Sequence, residues 1–357
     1  MRYLIVTQTY PPRTGGMQNV MHAITTKLSS INETHVFPDH YFKLKISNSK
    51  IHIHNNFSPK LLRPFIKKKL VSNIYKDEDI IICDSWKSLN AVPYKAKKII
   101  VFAHGQEFLS IQKKKKRIKD NLNRVNSIVC SSSYTSKLIS QLNLTNVPKV
   151  VIPPTYSLNT ISNYKKNVNK KTDKVSLLTI SRLEERKGII PVLKSLSEMN
   201  NNDELKPFFW NICGEGLQAN EIKEAIKNLN LSNNAQLVGK VTGNEKQNFL
   251  EKADLFIMPS YKVNDSIEGF GISYIEAAAY GVPSIAGIDG GVRDAVIDSE
   301  TGWCVNPLDK SALSKTLQNA INNKDIREQY GIDAQKKFLD YFLGEKVFRK
   351  FMDTISS

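Results

Sequence analysis

Apolar residues fall along this chain in short unbroken runs, separated by longer stretches in which apolar positions return every three to four residues. The runs predict strands at Arg2–Thr7, His35–Phe37, Ile51–His54, Ile80–Cys83, Ile99–Ala103, Ser127–Cys130 and Val150–Ile152. The periodic stretches Gly16–Leu28, Leu61–Ile74 and Ile111–Asn123 predict helices between them. A second series of strands follows at Val175–Ile180, Phe208–Cys213, Ala235–Val238, Leu255–Met258 and Ser284–Ala286. Its helices are expected at Ile189–Met199, Leu217–Leu229, Glu245–Lys252, Ile272–Tyr280, Asp309–Asn322 and Asp325–Phe338, with a last one at Leu343–Thr354. Continuous apolar runs suit strands covered on both faces, and their alternation with helices predicts parallel, doubly wound α/β sheets.

Between the two series, residues 156–174 are polar, rich in Asn and Lys, and without periodicity. They read as a linker. The expected organisation is a first domain over 1–155, the linker, a second domain over 175–340 and a C-terminal helix over 341–357 that packs back on the first domain. A length of 357 residues suits two such domains. No apolar run approaches the roughly 18 residues of a transmembrane helix. The opening Met1–Tyr10 is too short an apolar run for a signal peptide and reads as the first strand. Cys83, Cys130, Cys213 and Cys304 form no CxxC pair, so neither a zinc site nor a disulfide framework is expected, and a cytoplasmic setting is.

Charge divides the chain unevenly. Net charge is +17, and residues 1–154 hold 25 Lys and Arg against 8 Asp and Glu. Beyond the linker the chain is mildly acidic. A basic half beside an acidic one points to a polyanionic partner for the first half. Two clusters concentrate the charge: Lys67-Lys68-Lys69, and Lys113-Lys114-Lys115-Lys116-Arg117 following Phe108, Leu109 and Ile111. Basic residues beside apolar ones suit an anionic membrane surface, here the inner face of the cell membrane. Plain solubilising charge is the alternative. Nothing has the form of an RNA- or DNA-binding module, and no nucleic-acid partner is expected.

The densest chemistry lies at Glu268-Gly-Phe-Gly-Ile-Ser-Tyr-Ile-Glu276, after the strand that ends in Met258-Pro259-Ser260 and before Gly281-Val282-Pro283. Gly269 and Gly271 let backbone approach a ligand closely. A helix starting near Phe270–Ile272 would aim free N–H groups and its positive end at a diphosphate. Glu268 before that helix and Glu276 within it can accept hydrogen bonds from hydroxyls of a sugar and a ribose. A bare E-x7-E would equally arise from solvated glutamates; the flanking motifs distinguish the two readings.

With those flanks the segment resembles the donor-site signature of retaining glycosyltransferases of the GT-B fold, in particular family 4, also called glycosyltransferase group 1. Ser181-Arg182-Leu183 through Lys187-Gly188 resembles that family's G-R-L-x-x-x-K-G, with Ser181 where Gly is common. Cys213-Gly214-Glu215-Gly216, Leu237-Val238-Gly239, Ala253-Asp254 through Pro259-Ser260, and Gly290-Gly291-Val292-Arg293-Asp294 follow in the family's order. The resemblance implies two Rossmann-like domains facing each other across a cleft. It also implies that Arg182 and Lys187 clamp the donor diphosphate, Glu276 binds the ribose, Glu268 binds the transferred sugar, and backbone at Gly271 and Ile272 meets phosphate or sugar. Gly214, Gly269 and Phe270 would line the same pocket.

The first half matches more loosely. Tyr10-Pro11-Pro12 with Gly15-Gly16-Met17-Gln18 resembles the family's Y-P-P…G-G-x-E loop, with Gln18 replacing the acidic residue. Gly15 and Gly16 would touch the donor phosphate. His104, after the strand ending at Ala103, stands where the family has a His that serves the sugar or the acceptor. Asp77-Glu78-Asp79 spells D-x-D, a metal signature of another glycosyltransferase fold, but precedes a strand and reads as a solvated turn.

The expectation is thus a metal-independent, retaining glycosyltransferase without a cofactor. It would move a sugar from a UDP- or GDP-sugar to the hydroxyl of a membrane lipid or lipid-linked glycan in bacterial envelope glycan or glycolipid synthesis. The alternatives are a catalytically silent sugar-nucleotide-binding scaffold and an epimerase of the same fold.

Overall fold

A computed structural model of the chain describes residues 1–13, 15–39, 41, 48–59, 61–109, 111–154 and 174–356. The expected linker, apart from Lys174, and the side chain of Lys113 lie outside the described residues. The chain divides into two compact units, Met1–Ser157 together with Gly344–Ser357, and Leu158–Leu343.

In the first unit β1 (Tyr3–Val6) leads through α1 (Gly16–Ile31) to β2 (Thr34–Phe37), then β3 (Ile51–Ile53) through α2 (Arg63–Ile74) to β4 (Ile80–Cys83). There follow β5 (Lys98–Ala103), α3 (Ile111–Leu122), β6 (Ser127–Cys130), α4 (Ser133–Ser140) and β7 (Lys149–Val151). All seven strands are parallel, in the order β3-β2-β1-β4-β5-β6-β7. β1 lies at the centre, Ile5 pairing with Val36 on one side and Ile82 on the other. Every residue of β1, β2, β4 and β6 is buried, which explains why these strands read as unbroken apolar runs. The order reverses between β1 and β4, where open α/β sheets bind ligands beyond the strands' carboxyl ends.

The second unit repeats the scheme. β8 (Val175–Ile180), α5 (Ile189–Asn201), β9 (Phe208–Cys213), α6 (Ala219–Asn228), β10 (Ala235–Gly239), α7 (Gly243–Lys252) and β11 (Leu255–Met258) come first. Then come α8 (Ile272–Ala279), β12 (Ser284–Ala286), α9 (Val292–Ala295), β13 (Gly302–Cys304), α10 (Lys310–Asn322) and α11 (Lys324–Lys337). The parallel sheet runs β10-β9-β8-β11-β12-β13. Its core centres on fully buried Trp210, whose Nε1–H donates to Thr179 Oγ1 at 3.0 Å. The chain then returns to the first unit as α12 (Gly344–Ser356), which buries Val347, Phe351 and Ile355; the Phe351 ring lies 5.4 Å from that of Phe102.

The strand pattern of the sequence matches the sheets to within a residue or two. Ser131–Ser133 read as a helix cap, and Ser132 caps α4, its side chain accepting from the Thr135 N–H; α9 and β13 are additions, each short, β13 following the polar turn Ser299-Glu300-Thr301. One expectation is overturned. Asp79 is not in a solvated turn but buried, accepting from Arg2 Nε at 3.0 Å, Arg2 Nη2 at 2.8 Å and the Lys76 N–H at 2.8 Å. It fastens the start of β1 to the turn before β4. Asp77 pairs with Lys97 at 2.8 Å in the open.

Candidate active site

The loops at the carboxyl edge of the second sheet pack backbone against backbone, and the glycines are where this requires them. A Cβ on Gly188 (φ +74°) would lie 2.4 Å from the Pro259 carbonyl oxygen, and one on Gly214 1.8 Å from that of Ser181. Leu183 N–H donates to Glu215 O at 2.8 Å and Gln218 N–H to Leu183 O at 3.0 Å. Gly214 therefore serves here to seat the Ser181–Leu183 segment that carries Arg182.

This packing brings Glu268 onto the turn Glu185–Lys187. Its Oε2 accepts from Arg186 Nη1 at 2.9 Å and from Lys187 Nζ. Arg186 also donates through Nε to Glu184 Oε2 at 2.9 Å, and Arg182 Nη1 reaches Glu184 Oε1 at 2.7 Å. The result is a chain of alternating charge, Arg182–Glu184–Arg186–Glu268–Lys187, with three cations against two anions. Its ends differ in exposure: the Arg182 side chain is 68% exposed, those of Arg186 and Lys187 4% and 8%. Burial alone would raise the Glu268 carboxyl, but Lys187 and then Arg186 more than offset it and hold it at about 2. Burial pulls the Lys187 ammonium below its ordinary range, with Glu268 opposing. A surplus of fixed positive charge on largely buried side chains suits an anionic ligand.

Gly271 caps α8 with φ +94°, and a Cβ there would strike the Tyr274 ring at 2.4 Å. Tyr274 Oη donates to the Met258 carbonyl at 2.5 Å and lies 3.3 Å from Ser260 Oγ, fixing the helix start to the end of β11. The Gly291 N–H donates to the Glu268 carbonyl at 3.0 Å. Gly269 and Phe270 are buried, and the Phe270 ring meets Phe342 edge-on at 5.8 Å. Ile272 opens α8 and is half-buried. Glu276, buried in α8, pairs with Lys246 of α7 at 2.6 Å. The structure thus joins Glu268 to Lys187 directly and to Arg182 through two intermediaries.

Arg186 and Lys246 were not singled out from the sequence. Each sits in an unbroken polar stretch, Glu-Glu-Arg-Lys or Asn-Glu-Lys-Gln, where nothing marks one cation as buried.

In the first unit, the edge beyond β1 and β4 holds a second polar cluster. The buried Asp84 carboxylate accepts from Thr7 Oγ1 at 2.9 Å, the Gln8 N–H at 2.7 Å and Ser88 Oγ at 2.5 Å. Burial pushes this carboxyl up, against the pull of those donors and Lys67. His104 Nε2 lies 3.0 Å from the Asp84 carbonyl, so that nitrogen carries the proton in this contact. The His104 backbone N–H donates to Glu107 Oε1 at 2.8 Å. Gly15 caps α1 and Gly16 begins it, both exposed.

Lys67 belongs to this cluster and not to the basic surface. Its side chain is 4% exposed, pairs with Asp39 and donates to the Thr7 carbonyl at 3.0 Å. Phe108 is likewise buried and offers no apolar foothold. Lys68, Lys69, Lys114, Lys115, Lys116 and Arg117 are exposed as expected.

Comparison with known proteins assigns the second unit. Residues 160–337 match the family model described as glycosyl transferases group 1. The second unit belongs to this family. The group 1 domain so defined contains the whole charge chain, Gly214 and Glu276. The chain is 28% identical over 187 residues to 2-deoxystreptamine N-acetyl-D-glucosaminyltransferase of Niallia circulans, covering 52% of this chain and 46% of that protein. It is 28% identical over 264 residues to alpha-1,3/1,6-mannosyltransferase ALG2 of Dictyostelium discoideum, covering 64% and 60%. It spans about half the length of these curated relatives. The structure of Anabaena Alr3699/HepE in complex with UDP and glucose matches 100% of this chain and 99% of its own, with a TM-score of 0.78 and 17% identity. That likeness carries the fold, GT-B, with a group 1 domain following a second parallel α/β unit.

Proposed function

We propose that this protein is a retaining glycosyltransferase that uses a UDP- or GDP-sugar. The observation that carries the reading is the buried cluster of Arg186, Lys187 and Glu268 in the group 1 domain, with Arg182 extending it into solvent. The donor diphosphate would lie against Lys187 and Arg182. As the bond from the sugar's anomeric carbon to the diphosphate breaks, charge grows on the leaving oxygen, and fixed cations favour that state over the ground state. The acceptor hydroxyl attacks the same face, and its proton passes to the departing diphosphate. Glu268 would accept from hydroxyls of the transferred sugar and Glu276 from the ribose. His104, with Nε2–H engaged, would offer Nδ1 as an acceptor to a sugar or acceptor hydroxyl. The names of the relatives, an N-acetylglucosaminyl- and a mannosyltransferase, support sugar transfer without fixing the sugar.

The acceptor we propose is a lipid or lipid-linked glycan at an anionic membrane. The basic first unit supports this, and its surface offers an apolar foothold elsewhere than at Phe108. Phe57, Leu61 and Phe65 are 76%, 88% and 74% exposed in the stretch of chain that leads to exposed Lys68 and Lys69. Tyr94, 84% exposed, lies under Lys68 Nζ (5.3 Å) and the Arg124 guanidinium (4.5 Å). Exposed aromatic, aliphatic and basic side chains together suit the bilayer interface. No helix among the described residues is long and apolar enough to cross a membrane.

The test is incubation with UDP- and GDP-sugars and an extracted lipid acceptor, following nucleoside diphosphate release and the anomeric configuration of the product by NMR. A retained configuration supports the reading; inversion, or no release from any donor, contradicts it. EDTA is expected to leave turnover unchanged.

A further inference from the structure

Lys246 lies on the first turn of α7, the helix that follows β10, and Glu276 on the helix that follows β11. Both helices start at the carboxyl edge of the second sheet. The Lys246 Nζ reaches Glu276 Oε1 at 2.6 Å, and both side chains are largely buried, 18% and 6% exposed. A carboxylate this buried is costly to keep without a partner, and a lone one would repel a diphosphate bound nearby.

We propose that Lys246 is the positioning residue of the ribose site: it fixes the Glu276 carboxylate and balances its charge, so that Glu276 can take the ribose hydroxyls of a donor that is itself an anion. The proposal rests on the reading that Glu276 binds ribose. A carboxylate recognises a vicinal diol by accepting from both hydroxyls, which requires its plane to be fixed. Lys246 holds one oxygen from the side of α7, and the remaining lone pairs then face in set directions. The ammonium brings one positive charge where the carboxylate brings one negative charge, so the pair adds no net repulsion toward the diphosphate. Lys246 thereby acts through Glu276 and not on the reacting bond.

The test compares UDP, GDP and their 2′-deoxy forms by isothermal titration calorimetry on the full chain. The proteins are wild type, Lys246→Met, Lys246→Gln, Lys246→Arg and Glu276→Gln. A hydrogen bond to a charged group is lost with the 2′-hydroxyl, so the wild type is expected to prefer the ribonucleotide by about tenfold or more. Lys246→Met and Lys246→Gln are expected to lower that preference to within about threefold, as Glu276→Gln does, and Lys246→Arg to restore most of it. A merely structural lysine would weaken both nucleotides alike and leave the ratio intact. A full preference in Lys246→Met and Lys246→Gln would overturn the proposal while leaving Glu276 as the ribose ligand. A wild type that binds both forms equally would overturn the ribose reading of Glu276 and the proposal with it.

Discussion

Arg186 and Glu268, 82 positions apart, share a buried ion pair at 2.9 Å, and the same guanidinium holds Glu184 through Nε. Arg186 thus ties the loop after β8 to the loop before α8. Removing it leaves two carboxylates facing one another with only Lys187 and Arg182 to balance them. Breaking one partner of a buried pair typically costs about 3–5 kcal/mol. Arg186→Met is expected to lose stability on that scale in urea denaturation. A midpoint unchanged from wild type would show that the pair is incidental to the fold.

The Glu268 carboxyl, held at about 2 against an ordinary 4.5, links the cluster to pH. Because its folded value is depressed, its contribution is complete above pH 4.5 and is lost as pH falls from 4.5 toward 2. A displacement of that size corresponds to roughly 3 kcal/mol. Stability followed over this window is expected to fall more steeply in wild type than in Glu268→Gln. Parallel curves would contradict the assignment.

Lys187→Ala and Arg182→Ala are each expected to remove most turnover. One donor to a developing anion is typically worth about 2.7–4 kcal/mol, or a hundredfold or more in rate. The two differ in their effect on folding: exposed Arg182 leaves the melting temperature unchanged, while loss of Lys187 lowers it by freeing one side of Glu268. Turnover within threefold of wild type in either variant would count against its contact with the diphosphate.

Phe108 is buried, and exposed Phe57, Leu61 and Phe65 are the apolar side chains we propose to test at a membrane surface. Replacing these three with Ser is expected to release the protein from sedimenting vesicles of anionic lipid, and Lys68→Ser with Lys69→Ser to make the remaining binding less sensitive to salt. Each basic residue near such a surface contributes about 1 kcal/mol, screened within a Debye length. Binding of wild type indifferent to both salt and lipid charge would sink the idea.

Much of this arrangement was legible in the sequence for identifiable reasons. Ile80–Cys83 and Leu255–Met258 are buried on both faces, so their apolar runs are unbroken. Gly214 and Gly216 stand out because backbone packs where a Cβ would otherwise lie, and Gly271 because the Tyr274 ring does. Lys67 misled because three consecutive lysines look alike. On a helix, consecutive residues point about 100° apart, so only one of the three can follow Val71 to the interior. Asp79 misled because its partner Arg2 is 77 positions away. Arg186 and Lys246 were hidden in the same way, since their burial depends on Glu268 and Glu276 folding onto them from another loop and another helix.

We propose that the group 1 domain binds a nucleoside diphosphate sugar through the cluster at Lys187 and Glu268. The most direct measurement is calorimetric titration of UDP and GDP into wild type and Lys187→Ala. Wild type is expected to bind at least one of the two saturably, and Lys187→Ala to bind it about a hundredfold more weakly. Equal affinity in the two proteins, or no binding of either nucleotide by folded wild type, would rule this binding mode out.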